Sequence, residues 1–346
     1  MIKKILIVDA TRHERSPVFN TLKALGYDCS FLNYRQGFVY NNRIMRALLR
    51  RVGFFRFLKN RTTQNTNKKL LKLTKDLRPN LVLILEGENI LPETILQIKK
   101  QGAITANWFI DFMTHWHIIE SIAPNYDYFF TSDKCVLEKL NELGLKNCFY
   151  LPFAVENIFK ETPLKNRKNV YNISLVASYD SNRWTKREEL LSVVSKMGLN
   201  IWGPRSWKKS TLNNYYRGEA SGIKMFEIYR QSKIVIDIPW DSHAAHGISL
   251  RPTEAMISGA CLFMYDIRPD MNKIFKKDED YVSFLTGEEL ETKIKYYLEN
   301  DCEREKIASS GYHATVQKHT YFSRMTEMLN IVNSGHSARK HSDKVG

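Results

Sequence analysis

Short apolar runs alternate with longer amphipathic segments through the first half of the chain. Three of these runs are "KKILIVDA" at Lys3–Ala10, "NLVLILEG" at Asn80–Gly87 and "AITANWFID" at Ala103–Asp111. Continuous apolar strands that alternate with helices are typical of a parallel sheet covered by helices on both faces. The pattern therefore predicts an α/β fold for this half.

The same alternation starts again after a polar segment without a clear period, "VENIFKETPLKNRKNV" at Val155–Val170. New apolar runs follow at Tyr171–Ser178, Lys233–Pro239 and Ala260–Asp266. We therefore expect two doubly wound, Rossmann-like domains that face a cleft, with ligands beyond the carboxyl ends of the strands. The expected organisation is a first domain over 1–153, a linker over 154–170, a second domain over 171–320, and a C-terminal helix with a disordered tail over 321–346.

The stretch "SLRPTEAMISGACLF" places a glutamate among small and apolar residues. Pro252 suits the first turn of a helix and Gly259 its end, so Glu254 is predicted in the first turn. There it could accept two hydrogen bonds from a ribose diol, while Arg251 and the free helix amides could bind a diphosphate. The residues alone leave a second interpretation open, a surface glutamate stabilised by the helix dipole.

The net charge of +15 is unevenly distributed. From Cys29 to Lys75 there are twelve Lys and Arg and no Asp or Glu. Within this window, residues 43–75 could lie on an anionic membrane surface, and nucleic acid is a weaker possibility. A solvated cationic face is the third interpretation of the same pattern.

Other chemistry is sparse. The five cysteines are scattered without a CxxC pair, which favours reduced thiols and a cytoplasmic protein. No apolar run is long enough for a transmembrane helix, so we expect at most a peripheral location on the inner face of the membrane. Asp278 and Asp280 form a DxD pair in a charged loop, which we interpret as a solvated turn, and no metal site is predicted.

The segment Gly247–Arg324 resembles the carboxyl-terminal domain of the CgeB-like (spore-maturation-type) glycosyltransferases, which are related to the glycogen-synthase-like retaining enzymes. The resemblance lies in "LRPTEAMISGACLF", "ELETKIKYYLEN" and "EREKIASSGYHATVQKHTYFSRM", and further upstream in "ISLVASYDSNRWTKREELL" and "IYRQSKIVIDI". It covers most of residues 100–325 and is loose before "ANWFID". It implies the GT-B fold and a nucleotide-diphosphate sugar as co-substrate, without a further cofactor.

The resemblance also implies roles for individual residues. Glu254 stands where the family binds the ribose, and Arg187 stands where the family has an arginine after the first strand of the donor domain. His246 replaces the first glutamate of the E-x7-E pattern of the wider retaining group. The predicted donor-binding residues are Arg183, Lys186, Arg187, Gly203, Ser249, Arg251 and Glu254, with His246 as a catalytic candidate.

The acceptor side is predicted in the first domain. Asp111 ends an apolar run, and His115 follows in a Trp-rich loop, where either group could assist acceptor deprotonation. Helix capping by Asp111 and packing of the aromatic rings are the alternative roles. Trp108 and the loop after the first strand, with Arg12 and His13, complete the acceptor-side candidates.

The expected function is transfer of a sugar from a nucleotide-diphosphate donor to a glycan, lipid or other acceptor, with retention and without a metal. One alternative is a sugar-nucleotide epimerase of the same fold. The other is a non-enzymatic basic protein that binds membrane or nucleic acid, for which the replacement of glutamate by His246 is the supporting feature.

Overall fold

The structure is a computed structural model. It describes residues 2–11, 16–35, 54–111, 113–156, 167–180, 185–239 and 247–342, with side chains described except at 54–56 and 336–342. Four predicted site residues, Arg12, His13, Arg183 and His246, lie outside the described residues, and so does the basic stretch 36–53.

The chain divides into two compact units. The first unit contains Met1–Pro152 together with Tyr321–Gly346, and the second contains Phe153–Thr320. The chain therefore completes its second unit before its last helix returns to the first one. Most of the segment predicted as a linker, 157–166, lies outside the described residues.

The first unit is built on a six-stranded parallel sheet in the order β2-β1-β3-β4-β5-β6. Its strands are β1 (Lys4–Asp9), β2 (Asp28–Asn33), β3 (Leu81–Leu85), β4 (Ile104–Phe109), β5 (Tyr128–Thr131) and β6 (Cys148–Tyr150). The described helices before the second unit are α1 (Pro17–Ala24), α2 (Phe54–Leu77), α3 (Pro92–Lys100), α4 (Trp116–Ile122) and α5 (Lys134–Glu142).

The second unit has its own six-stranded parallel sheet, in the order β12-β11-β10-β7-β8-β9. Its strands are β7 (Tyr171–Val176), β8 (Leu199–Trp202), β9 (Tyr216–Gly218), β10 (Ser232–Asp237), β11 (Cys261–Tyr265) and β12 (Val282–Phe284). Its described helices are α6 (Thr185–Val193), α7 (Ile223–Arg230), α8 (Arg251–Ile257), α9 (Met271–Ile274), α10 (Gly287–Glu299) and α11 (Asp301–Lys318), and α12 (Tyr321–Ser342) follows in the first unit.

The strand orders locate the switch points of the two sheets. In the first sheet the chain order reverses between β1 and β3, and in the second between β7 and β10. Crossovers leave the sheet in opposite directions at such a point, so a crevice forms beyond the carboxyl ends of the two strands. These two places are where side chains can reach a ligand.

The predicted elements that matter for the site are confirmed. Apolar runs became strands buried on both faces, as in the pattern BBBB of Ile173–Val176. Pro252 lies in the first turn of α8, Glu254 lies in that turn as well, and Gly259 follows the helix with a φ of 80°. One detail is wrong, because Asp280 is buried and accepts hydrogen bonds from Lys276 N and Ser310 Oγ rather than lying in a solvated turn.

The last helix, α12, is fixed to the first unit by contacts with several elements. Arg324 Nε donates to Pro152 O at 3.1 Å, and Tyr128 Oη donates to Val332 O at 3.3 Å. The backbone amide of Ile2 donates to Asn333 Oδ1. A predicted terminal helix thus packs against the domain that begins the chain.

Close packing of α11 sets the position of α8. A Cβ at Gly311 would lie 2.3 Å from Asp280 O and 2.9 Å from the Sδ of Met256, which belongs to α8. We expect Gly311→Ala to lower the free energy of unfolding by roughly 1–3 kcal/mol, despite the higher helix propensity of alanine. Urea denaturation measures this, with Ser309→Ala on the same helix as the control. Equal stability of the two variants would contradict the packing.

Candidate functional site

A part-buried ion pair lies at the switch point of the second sheet. Asp237 is the last residue of β10 and its side chain is 1% exposed. Arg251, at the start of α8, donates from Nη1 to Asp237 Oδ1. Burial by itself would lower the pKa of Arg251, but the charge of Asp237 raises that pKa above its ordinary value. The attraction of Asp237 therefore offsets the cost of removing the Arg251 guanidinium from water.

Glu254 lies one helical turn along α8 from this pair. Burial raises the pKa of its carboxyl group to about 7; the Arg251 charge opposes this shift, and the Asp237 charge adds to it. None of the described residues donates a hydrogen bond to its carboxyl oxygens. The carboxyl group is thus a half-buried acceptor whose charge changes close to neutral pH.

Arg187 joins the ends of the two strands at the switch point. Its guanidinium is buried and donates from Nη1 to Ser178 O, beyond β7, and from Nε to Ile238 O at 2.9 Å, beyond β10. Burial, together with the neighbouring Arg251 charge, lowers the pKa of Arg187 to about 9. This residue holds the crevice together from inside the domain.

Two polar atoms at the same place are buried without a hydrogen-bond partner among the described residues. They are Asp237 Oδ2 and Ser249 Oγ. Buried polar atoms in native proteins are nearly always paired, so unpaired ones are expected where a ligand or solvent completes the site. Residues 240–246, which come after β10 in the chain, lie outside the described residues.

The other donor-side candidates have different surroundings. Lys186 is partly exposed on α6 and forms an ion pair with Glu189 at 2.6 Å. Gly203 follows β8 with a φ of 154°, and a Cβ there would lie 2.1 Å from Ala177 O. Gly203 therefore permits close approach of two backbones. Of the predicted donor residues, the structure brings together Arg187, Ser249, Arg251 and Glu254.

A second group of charged side chains lies at the carboxyl edge of the first sheet. Glu86 follows β3 with a φ of 58°, a conformation that non-glycine residues rarely adopt. Its amide donates to Trp108 O and its carbonyl accepts from Asn107 Nδ2, so both backbone groups are tied to β4. Burial, with Asp111 as the largest charge contribution, raises the pKa of Glu86. Arg35 lies 3.6 Å from its carboxylate.

The predicted acceptor-side residues separate into two environments. Asp111 and His115 are neighbours, with Asp111 Oδ2 lying 3.7 Å from His115 Nδ1, and both are partly exposed. Trp108 is in the core instead, where its Nε1 donates to Leu151 O and its ring meets Tyr321 edge to face. The structure therefore places Trp108 among packing residues.

Sequence reasoning missed Asp237 and Glu86. Each is a carboxylate at the carboxyl end of an apolar strand that borders a switch point, "KIVID" in one case and "LVLILE" in the other. A carboxylate directly after an apolar strand could have indicated these residues. Recognising that the strands border a switch point, however, requires knowledge of the strand order. Among the described residues, no group of three or more His, Cys, Asp and Glu is placed to hold a metal ion.

Comparison with known proteins connects this geometry to an enzyme class. Residues 185–330 match the model of the family described as glycosyl transferase-like. This part of the chain is therefore similar to a glycosyl transferase-like domain. The matched segment includes Arg187, Asp237, Arg251 and Glu254, and the expectation of a glycosyltransferase enzyme is confirmed at this level. A comparison with curated protein sequences gave no match.

Solved structures confirm the GT-B fold. Sucrose-phosphate synthase from Thermosynechococcus elongatus is 10% identical, with 97% of this chain and 100% of that chain covered and a TM-score of 0.68. A glycosyltransferase from Rickettsia africae is 13% identical, with 95% of this chain and 97% of that chain covered and a TM-score of 0.63. Anabaena HepE in complex with UDP is 10% identical, with 96% of this chain and 100% of that chain covered and a TM-score of 0.59.

The shifted pKa of Glu254 predicts how stability depends on pH. The folded carboxyl group ionises at about 7, whereas the unfolded one ionises near its ordinary value of about 4.3. Between these values the folded state holds the additional proton, so wild-type stability falls as pH rises to about 7 and then levels. Glu254→Gln lacks this fall.

We therefore expect the stability advantage of Glu254→Gln over wild type to grow between pH 5 and pH 8 by on the order of 2 kcal/mol. Urea denaturation of both proteins at the two pH values measures it. Because all other titrating groups are shared, parallel pH profiles would show that the carboxyl group is not held in a buried, charge-coupled position.

The two adjacent cations on α6 predict contrasting effects. Arg187→Ala should lower the free energy of unfolding by roughly 2–4 kcal/mol, because the buried Ile238 carbonyl and the part-buried Ser178 carbonyl lose a charged donor and a cavity forms. Lys186→Ala should change it by less than about 0.5 kcal/mol, since its ion pair is solvated. Thermal or chemical unfolding compares them. A small effect of both variants would place Arg187 outside the core.

Proposed function

We propose that the chain is a nucleotide-sugar glycosyltransferase whose second unit binds the nucleotide diphosphate of the donor. The observation that carries the proposal is the charged group of Asp237, Arg251 and Glu254 at the switch point of a glycosyl transferase-like domain. The CgeB-like resemblance supports it, because that family places a ribose-binding glutamate at the position of Glu254. UDP is the first nucleotide to test, since HepE was solved with UDP and with UDP-glucose.

In this proposal each residue of the charged group has a separate task. Glu254 accepts hydrogen bonds from the ribose hydroxyls, which stabilise its ionised form. Arg251, fixed by Asp237, leaves its remaining guanidinium donors for the diphosphate. Arg187 keeps the two strand ends in place. Arg183, Lys186, Ser249 and Gly203 are the further donor-side residues, and His246 contacts the transferred sugar.

The reaction is proposed to proceed with retention and without a metal ion. Departure of the nucleoside diphosphate requires stabilisation of the developing phosphate charge, which fixed cationic side chains can supply. Arg251 is assigned to this role, together with Arg183, which lies outside the described residues. The electrostatic contribution is largest in the transition state, so these cations would affect turnover more than ground-state binding.

The acceptor is proposed to bind at the carboxyl edge of the first sheet. Asp111 and His115 are within a short distance of each other there, and Glu86 belongs to the same edge. A carboxylate or an imidazole group can remove a proton from an acceptor hydroxyl. A glycan or lipid-linked acceptor presents such hydroxyl groups. Arg12 and His13 follow β1 in the chain, outside the described residues, and are assigned to the same side.

Glu254→Ala tests the function through nucleotide binding. We expect the affinity for UDP, measured by calorimetry in buffer with EDTA, to fall by ~1–3 kcal/mol because the ribose hydroxyls lose an ionised acceptor. Glu279→Ala removes an exposed carboxylate of the same unit and is the matched control. Unchanged affinity in Glu254→Ala would remove this residue from the site. Failure of the wild type to bind UDP, GDP, ADP or dTDP would refute the function.

A further inference from the structure

The outer face of α2 carries a line of exposed cations. Arg61, Lys68, Lys72 and Lys75 are all exposed, and exposed Phe57 precedes them. Their spacings are 4, 7, 4 and 3 residues, which place them on one side of a helix with 3.6 residues per turn. We call these five residues the α2 stripe. Among the described residues, none of its four cations forms an ion pair.

The opposite face of the helix is used by its own domain. Asn67, Leu70 and Thr74 are buried, at the spacings of a core-facing stripe. Leu71, Leu73 and Leu77 pack against the same core. The apolar side of α2 is therefore not available to insert elsewhere, and the α2 stripe points outwards from the first unit.

The start of α2 extends past the carboxyl edge of the first sheet. Asn67 Nδ2 donates to Asn89 O at 2.8 Å and Asn67 Oδ1 accepts from Leu91 N at 3.0 Å. Those two residues belong to the loop that follows β3, so Asn67 is level with that edge. From Asn67 the helix runs back along the sheet to Leu77, shortly before β3 begins. In the opposite direction, past the carboxyl edge, it continues to Phe57. The α2 stripe is about 27 Å long.

We propose that the α2 stripe docks the first unit onto an anionic lipid bilayer. Three of its cations are lysines, which act as point charges and suit a diffuse layer of headgroups, whereas planar recognition of nucleic acid favours arginine. Phe57 is 55% exposed, and an aromatic ring next to cations suits the membrane interface. The surrounding sequence is also positively charged, because no acidic residue occurs between Cys29 and Lys75.

Docking through this face would lay α2 along the headgroups, and the part of α2 before Asn67 extends past the carboxyl edge of the first sheet. That edge carries Glu86, Asp111 and His115. If the proposed function holds, a membrane lipid presents the acceptor to this edge. Only this step of the inference rests on the proposed function. The docking itself needs no donor nucleotide and can be measured separately from turnover.

The test is sedimentation of the full chain with vesicles of phosphatidylcholine, with and without about a third phosphatidylglycerol. We expect binding only to the anionic vesicles, with a steep fall as salt rises from about 0.05 to about 0.5 M. The variant Arg61→Ala/Lys68→Ala/Lys72→Ala should bind about 100-fold more weakly, because each cation contributes roughly fivefold. Its UDP affinity should equal that of the wild type.

The matched control is Lys208→Ala/Lys209→Ala/Lys306→Ala, which removes the same charge from exposed positions of the second unit. It should bind anionic vesicles nearly as well as the wild type, and circular dichroism should show all three proteins folded. Equal loss in both variants would mean that net charge, not the α2 stripe, is responsible. If the wild-type protein does not bind anionic vesicles at low salt, the proposal is wrong. This holds whether or not the protein binds RNA in a gel-shift experiment.

Discussion

The second unit depends on the ion pair of buried Asp237 with partly exposed Arg251, at the point where its sheet reverses strand order. An isolated charge in this position would be strongly destabilising, so neither residue can be there without the other. The pair fixes the start of α8 against the end of β10. It also sets the electrostatic field at Glu254, whose carboxyl group is buried beside one positive and one negative charge.

The switch points of the two sheets carry different sets of charged residues. At the switch point of the second sheet, cations and carboxylates compensate each other, and two buried oxygen atoms have no partner within the described part of the chain. At the edge of the first sheet, carboxylates predominate among the described charges, and Glu86 is held in a left-handed conformation by hydrogen bonds to β4. The first arrangement suits a nucleotide with its own anionic groups, and the second suits hydroxyl groups that must lose a proton.

Much of the fold could be predicted because parallel strands buried on both faces leave continuous apolar runs, and because Pro252 and Gly259 mark the ends of α8. Glu254 was found for the same reason. Asp237 could not be assigned, since its partner is fourteen residues away and its role depends on the order of strands. The sequence also does not distinguish Arg187 from Lys186, whereas burial does, because only one side chain reaches the strand ends.

The most direct measurement of the central claim is a crystal structure of the protein with UDP. We expect the nucleotide beyond the carboxyl ends of β7 and β10, with the ribose hydroxyls within hydrogen-bond distance of Glu254 and the diphosphate next to Arg251. The ion pair between Arg251 and Asp237 should remain intact. Nucleotide bound with its ribose away from Glu254, or a diphosphate held without Arg251, would contradict it.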